Sequence, residues 1–410
     1  MGTITNTLPT GATGTADTFT SVSGARGTSS TGSSAAKREV DEAMITYQPF
    51  QTPILTELLT GKFRKKPTGN QKFEWIQTTL LPRTDTISWT GTSTSEDNIT
   101  VGDSSLYQVG TKFVVDTTGD VVIVDSIASS EIDVTKVGSG NMSVATSATI
   151  HFLGDAFEQG SSSATAKSVN KSFPYNYVEI FKKAVNETES QQATVEYGPD
   201  DWNEQKMNRM SEFKMDLEGT LLFGVRDADS TGITNGSYYQ YYTGGVLNDS
   251  SANFIPAHYQ YVGDAPDEAF FFDTFLKGAF SKGTGRKRLY AGADLIVAIN
   301  NYSKVKQQTK VSETVYGVNI QSILCPFGKL ELVWHPMLEG LVYAKKGILL
   351  DLGSDYLKYR YLAGNGKNRD LTFVEYPHFA EQEQRKGEWK GEIGWQVTGG
   401  EYHAILEPAT

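Results

Sequence analysis

Asp227-Ala228-Asp229-Ser230-Thr231-Gly232 opens like a calcium-binding loop, with alternating oxygen ligands followed by a glycine. The twelfth position of such a loop needs a bidentate Glu, and here it is Tyr238. A turn after a helix, where Asp and Gly are favoured, explains the segment better. The five histidines, His151, His258, His335, His378 and His403, show neither an i, i+4 pair nor an HExxH pattern, so no zinc site is expected. Gly283-Thr284-Gly285-Arg286-Lys287-Arg288 joins glycines to positive charge. It lacks Walker spacing and precedes a strand, whereas a phosphate loop precedes a helix. A surface turn, or a contact to an acidic neighbour, fits it better. Glu187 with Glu189, and Asp200 with Asp201, are the carboxylate pairs open to acid–base work. The first pair flanks a strand end, and the second sits where a helix N-terminus favours anions. No GxSxG elbow is present. The single cysteine, Cys325, precedes Pro326 without a His and Asn arrangement, and reads as a buried, inert thiol. No catalytic residue, cofactor or metal is therefore expected.

The elements that would carry any such chemistry belong to an acidic chain of 410 residues with net charge −11, long enough for two or three cores. That charge argues against a nucleic-acid-binding domain while leaving room for local basic patches. One such patch is Arg64-Lys65-Lys66, read as a solvated loop or an ion pair between subunits rather than a DNA contact. One cysteine permits no internal disulfide and fits assembly in a reducing cytoplasm. No apolar run reaches the length of a membrane span, and no secretory signal opens the chain.

Residues 1–36 are rich in Gly, Thr, Ser and Ala, too polar to offset their own ordering entropy, so order there requires an outside contact. Residues 38–62 read as a short helix broken by Pro49 and Pro53, with Ile54, Leu55 and Leu58 on its apolar face. Alternation in 70–90, through Phe73, Trp75, Ile87 and Trp89, and in 175–181 predicts the two legs of one long hairpin. Between them, strands at 98–101, 112–116, 121–127, 131–137 and 148–153 predict a small barrel or sandwich over 97–155. The strongest helix spans 201–223, with an expected capping box at Asp201-Trp202-Asn203-Glu204 and a core stripe of Met207, Met210, Phe213, Leu217 and Leu221. Its length is ~35 Å. A second helix is predicted at 266–281, a strand at 288–291, a helical face at 295–302, a hairpin over 315–334, and strands at 341–344 and 348–352. Trp389, Ile393, Trp395 and Val397 followed by Tyr402, Ala404 and Leu406 predict a terminal hairpin.

Four blocks in order carry a resemblance: Phe173 to Phe181 with Tyr197-Gly198; Leu217 to Gly224; Val333-Trp334-His335-Pro336 with Gly347 to Leu350; and Lys386-Gly387-Glu388 through Glu401 to Ala404. In this order the chain resembles the tailed-phage major capsid proteins of the Hong Kong 97-type fold, in particular those with a small β-barrel insertion in the extended loop. The resemblance implies an α+β fold with 1–48 as N-terminal arm, 49–96 and 156–190 as extended loop and start of the peripheral domain, and 97–155 as the insertion. It implies 191–256 as peripheral domain with its spine helix, 257–370 as axial domain, and 371–410 as the return to the peripheral domain.

The implied function is a shell subunit assembling into hexamers and pentamers around a genome, in a virion built in the host cytoplasm. The implied partners are copies of itself, a portal, decoration or scaffolding proteins, and packaged DNA non-specifically at most, with no membrane. Phe73, Trp75, Tyr175, Tyr177, Arg64, Lys65 and Lys66 are the expected contacts between copies. No motif for a Lys–Asn cross-link stands out. A nanocompartment shell enclosing cargo enzymes is the alternative, and a virion surface protein binding carbohydrate through the insertion is a third reading.

Overall fold

The computed structural model describes residues 52–59, 64–89, 96–142, 147–194, 200–229, 239–247, 254–306, 309–315, 318–351, 353, 356–377 and 383–409. The arm at 1–48 and the end of the calcium-like loop lie outside them. Two larger sheets and one closed barrel make up most of the strand structure.

The first sheet has the path Arg64–Thr68, Leu357–Gly364, Gln384–Val397, Glu179–Thr188, with Lys367–Asn368 and Thr372–Glu375 as side strands. The helix Asp201–Phe223 lies across one of its faces. Phe181 meets Phe213 edge-on at 6.0 Å, Lys183 pairs with Asp216 at 2.8 Å, and the Trp389 indole donates to the Lys206 carbonyl at 2.9 Å. The expected capping box does not form. Asp200 is the cap residue, and its carboxylate accepts from the Asn203 side chain at 2.8 Å instead of from the helix backbone. Asp201 and Glu204 still place negative charge in the first turn, where the helix dipole favours it. The core stripe is shifted as well. Trp202, Phe213, Leu217, Leu221 and Leu222 are buried, whereas Met210 is half-buried and Met207 is 64% exposed. Trp202 and Lys206 anchor the first turns on Phe373, which turns Met207 to solvent. The helix ends at Gly224, whose backbone turns extended, and only glycine fits there because a Cβ would lie 2.4 Å from the Thr243 carbonyl oxygen.

The second sheet has seven strands, in the order His258–Tyr261, Ala404–Pro408, Gly347–Asp351, Arg286–Ala291, Gly328–Trp334, Val318–Cys325, Thr309–Val315. Alternation sends Leu289, Ala291, Leu349 and Leu406 to one side, against the helix Ala293–Lys306 and a helical segment at 268–279 that contains a π-helical stretch, Phe270–Leu276. Tyr290, Ile348, Leu350 and Ile405 point the other way, into the core shared with the long helix and the first sheet. Covered on both sides, the central strand Gly347–Asp351 is buried throughout. The segment at 341–344 is not a strand. Gly340–Tyr343 forms a helical turn.

The barrel closes through Thr84–Ser88, Glu96–Val101, Glu131–Lys136, Val121–Ala128, Thr111–Val115 and Ser147–Asp155. All five strands expected in 97–155 form. A sixth, Thr84–Ser88, comes from what was expected to be a hairpin leg. Ile87 and Trp89 are therefore barrel core, and the Trp89 indole donates to Asp97 at 2.8 Å. Register shifts at Lys112/Phe113 and Val124/Ser126 supply the local bends that closure needs. The long hairpin shrinks to Lys72–Glu74 paired with Tyr175–Tyr177 plus a bridge between Gln77 and Ser172. The second leg continues into the first sheet, where Glu179–Thr188 pairs with Gln384–Val397.

The terminal hairpin is also corrected. Gln384–Val397 belongs to the first sheet and Ala404–Pro408 to the second. Gly399, at φ +66°, and Gly400, where a Cβ would meet the Phe254 carbonyl oxygen at 1.9 Å, carry the chain between them. Pro53 opens the helix Pro53–Leu59 rather than breaking one, since the N–H that proline lacks would have no acceptor within the helix at its first position.

Candidate assembly surfaces

The described chain starts at a buried clamp. Glu218, on the long helix, accepts from the Ile54 N–H at 2.9 Å and the Leu55 N–H at 2.7 Å, the free donors at the start of Pro53–Leu59. The same carboxylate pairs with His335 Nε2 at 2.8 Å. His335 Nδ1 accepts from the Met337 N–H at 3.2 Å, so Nε2 carries the proton given to Glu218. At the other end of the short helix, Glu57 pairs with the buried Arg288 and accepts from the Tyr290 hydroxyl at 2.5 Å. Arg288 also holds Glu331 at 2.5 Å, and Arg286 and Lys329 reach the same carboxylate at 2.7 and 3.0 Å. Burial pushes the Glu331 carboxyl up, but hydrogen bonds from Arg288, Lys329 and Arg286 and the Arg288 charge outweigh it and bring it down to about 2. Every charge in this network is met, which is the condition for burying it at all.

Several of the described residues singled out for chemistry are engaged in contacts that hold the fold. The Thr284 N–H and hydroxyl both donate to Asp351 at 2.7 Å, so the glycine-rich loop wraps an internal carboxylate. Lys287, from the same run, donates to the carbonyls of Ala279, Lys282 and Tyr402 at 2.8, 2.8 and 2.5 Å. Burial lowers it to about 8 against the opposing charge of Asp351. His403 accepts from the Asp351 N–H at 3.1 Å and is held neutral by burial, down to about 4. Glu187 is buried beside Asp201 and Asp200, and burial followed by those two charges raises its carboxyl. Glu189 instead starts a separate short helix. The Cys325 thiol is pushed up to about 11 by burial. Among the described residues no group of three or more His, Cys, Asp and Glu is placed to hold a metal.

Among the described residues, two surfaces stand out for contacts. The first is the ribbon joining barrel to body, residues 76–83 and 157–173. It exposes Ile76, Leu81, Phe157, Val169, Phe173 and Leu80, the last at 93%. Body core ends at Trp75 and barrel core begins at Ile87, so the ribbon adds to neither. A cleft of roughly 1000 Å³ continues it, between the barrel and the returning chain, lined by Leu81, Val109, Ile127, Phe157 and the serines at 161–163. The second is the outer face of the first sheet.

The residues expected as contacts divide. Phe73 and Trp75 are 5% and 6% exposed: they fasten the ribbon to its own body, Trp75 against Phe254 at 5.9 Å and Phe73 beneath Arg360. Tyr175 is half-buried between Lys72 and Arg226, and Tyr177 leans on Tyr241 at 5.2 Å. Lys65 pairs with Asp370 at 3.3 Å, and Lys66 is exposed on the edge strand, where Arg64 takes the register position opposite Lys358. The buried partnership of Glu218 with His335 and of Glu57 with Arg288 was not legible in the sequence, where His335 enters only as a candidate metal ligand or motif residue and Arg288 as part of a surface turn. The only local signal was a carboxylate at position 218 inside an apolar stripe.

The sequence profile of the SU10 major capsid protein family matches residues 11–410. No curated protein matches the chain. Among solved structures, the holo-SrpI encapsulin complex from Synechococcus elongatus PCC 7942 is 11% identical, with 91% of this chain and 92% of that chain covered and a TM-score of 0.46. The capsid of the native GTA particle is 9% identical, with 94% and 99% covered and a TM-score of 0.46. Microbacterium phage Oxtober96 is 11% identical, with 92% and 98% covered and a TM-score of 0.43. Likenesses this distant do not choose between a virus shell and a compartment shell; the family match does. Spanning all but the first ten residues, it shows that the chain belongs to the SU10 major capsid protein family.

Proposed function

We propose that this major capsid protein closes into hexamers and pentamers of an icosahedral shell around packaged double-stranded DNA, in a tailed-phage virion assembled in the host cytoplasm. A portal, and decoration or scaffolding proteins where present, are its further partners, and its role is structural rather than enzymatic. The observation that carries this reading is the ribbon. Two separately cored bodies are joined by exposed apolar chain, including Leu80 and Phe173, that the described residues of its own protomer leave uncovered. Such surface is costly in water and is covered when other copies lie over it. Overlaps repeated around closed rings make strong assemblies from modest contacts. The half-buried Tyr175 and Tyr177 and the edge residues Arg64, Lys65 and Lys66 flank the ribbon base and are proposed contacts between copies. Phe73 and Trp75 act indirectly, by aiming the ribbon.

The test is expression of the full chain followed by sedimentation and negative-stain imaging. Closed particles support the reading. Strong absorbance at 260 nm in particles from infected cells marks a genome shell, whereas protein cargo without nucleic acid marks a compartment.

A further inference from the structure

The outer face of the six-stranded sheet is cationic, and in part its charge is unmet. The long helix takes the side bearing Phe181 and Lys183, so Lys182 points away from it. Residues paired across a ladder share a face. Lys182 lies directly opposite Lys390, and Lys386 lies further along opposite Asn186. Following the register across the sheet, Lys358 and Lys66 fall on this side too, separated from Lys182 and Lys390 by a buried stretch, Arg360, Glu392 and Gln396, where Phe73 and the Tyr177 carbonyl lie against Gly394. Like charges directly opposite each other weaken a sheet unless something else meets them. Glu388 reaches Lys390 only at 3.9 Å, and Glu392 is taken by Arg369 at 2.5 Å. Lys182 and Lys66 have no ion-pair partner among the described residues.

The complementary charge is carried by the same chain. Residues 84–155 hold ten Asp and Glu against two Lys, a net charge of −8 out of −11 for the whole chain. Within the barrel, Lys136 pairs with Asp120, and His151 lies near Asp116 at 3.8 Å. Its exposed carboxylates include Asp116, Glu131 and Asp133. We propose that the barrel of one copy docks on the cationic outer sheet face of a neighbouring copy, an inference that rests on the shell reading and assigns one of its contacts. A second barrel is excluded as occupant by like charge. DNA is the weaker occupant, because Lys386, Glu388, Lys390 and Glu392 alternate in sign along one strand. That pattern suits a protein surface better than uniform phosphates. The charge complementarity would steer neighbours into register, and salt would weaken it.

The test uses particles assembled from a mixture of light and heavy isotope-labelled chains, both empty and DNA-filled. A carbodiimide joins lysines to carboxylates already in contact, and mass spectrometry separates links within a copy from links between copies. The expected result is mixed-label links from Lys66, Lys182, Lys386 or Lys390 to carboxylates of 84–155, in empty and filled particles alike. Lys182→Glu with Lys66→Glu should lower particle yield at least tenfold at low salt. Intact particles without such links, or lysines protected from acetylation only when DNA is inside, would overturn the docking while leaving the shell reading in place. Failure of the wild-type chain to form particles would overturn the shell reading itself.

Discussion

Replacing Glu218 by Gln keeps the volume of a wholly buried side chain and changes one acceptor oxygen to a donor. Glu218 Oε1 serves both Ile54 N–H and His335 Nε2, while Oε2 serves Leu55 N–H. With Gln, one oxygen can hold the first pair, and the new NH2 then faces the Leu55 donor. One charge-assisted hydrogen bond is lost, worth about 1.5–3 kcal/mol, and a buried backbone N–H is left unpaired at a cost of about 1–3 kcal/mol. Because these two costs overlap, the expected loss is about 2–4 kcal/mol. The clamp joins residues far apart in the chain, so the loss should appear in global unfolding by urea and also locally, as faster proteolysis around residues 52–59. A change below about 0.5 kcal/mol with unaltered proteolysis would refute the view that this carboxylate fixes the helix Pro53–Leu59 to the body.

Three further outcomes follow from buried groups. His403 titrates near 6.5 when unfolded and near 4 when folded, so its unfolded form binds more protons between those values. Stability should therefore fall by on the order of 3 kcal/mol as pH drops from 6.5 to 4. The depressed Glu331 carboxyl adds a second loss, beginning below about 4.5 and running toward 2, and urea midpoints across this range check both windows. Phe113→Ala should destabilise the barrel by about 3–5 kcal/mol. Because the barrel core is separate, hydrogen exchange should accelerate in 84–155 and not in the seven-stranded sheet. Cys325, held near 11, should react with a disulfide reagent at pH 8 about 100-fold more slowly than a free thiol, with urea restoring the rate.

What was legible in the sequence was local. The five barrel strands alternate and are punctuated by glycine turns, and the helix Asp201–Phe223 has period and stop signal in one stretch of chain. Pairing partners were less legible, because alternation names a face and not a neighbour. Ile87 and Trp89 read as a continuation of Phe73 and Trp75, yet the ribbon passes between them and they fill another core. Trp395 and Leu406 read as one hairpin because two glycines lie between, yet those glycines carry the chain from one sheet to the other. The buried clamp was hidden for a different reason. Glu218 and Arg288 look like solvated charges until their partners arrive, and Ile54 lies 164 residues from Glu218 while Glu331 lies 43 from Arg288. Position 207 was misread in the opposite sense, since helical period alone did not show which turns the sheet would leave bare.

The dependence of this fold on its neighbours is tested most directly by analytical ultracentrifugation of the purified full chain over a wide concentration range, with imaging of the fast-moving fraction. Closed rings and shells that bury Leu80 and Phe173, read by their protection in the assembled fraction, are the predicted result. A stable monomer at every concentration, with those side chains covered by its own chain, would contradict it.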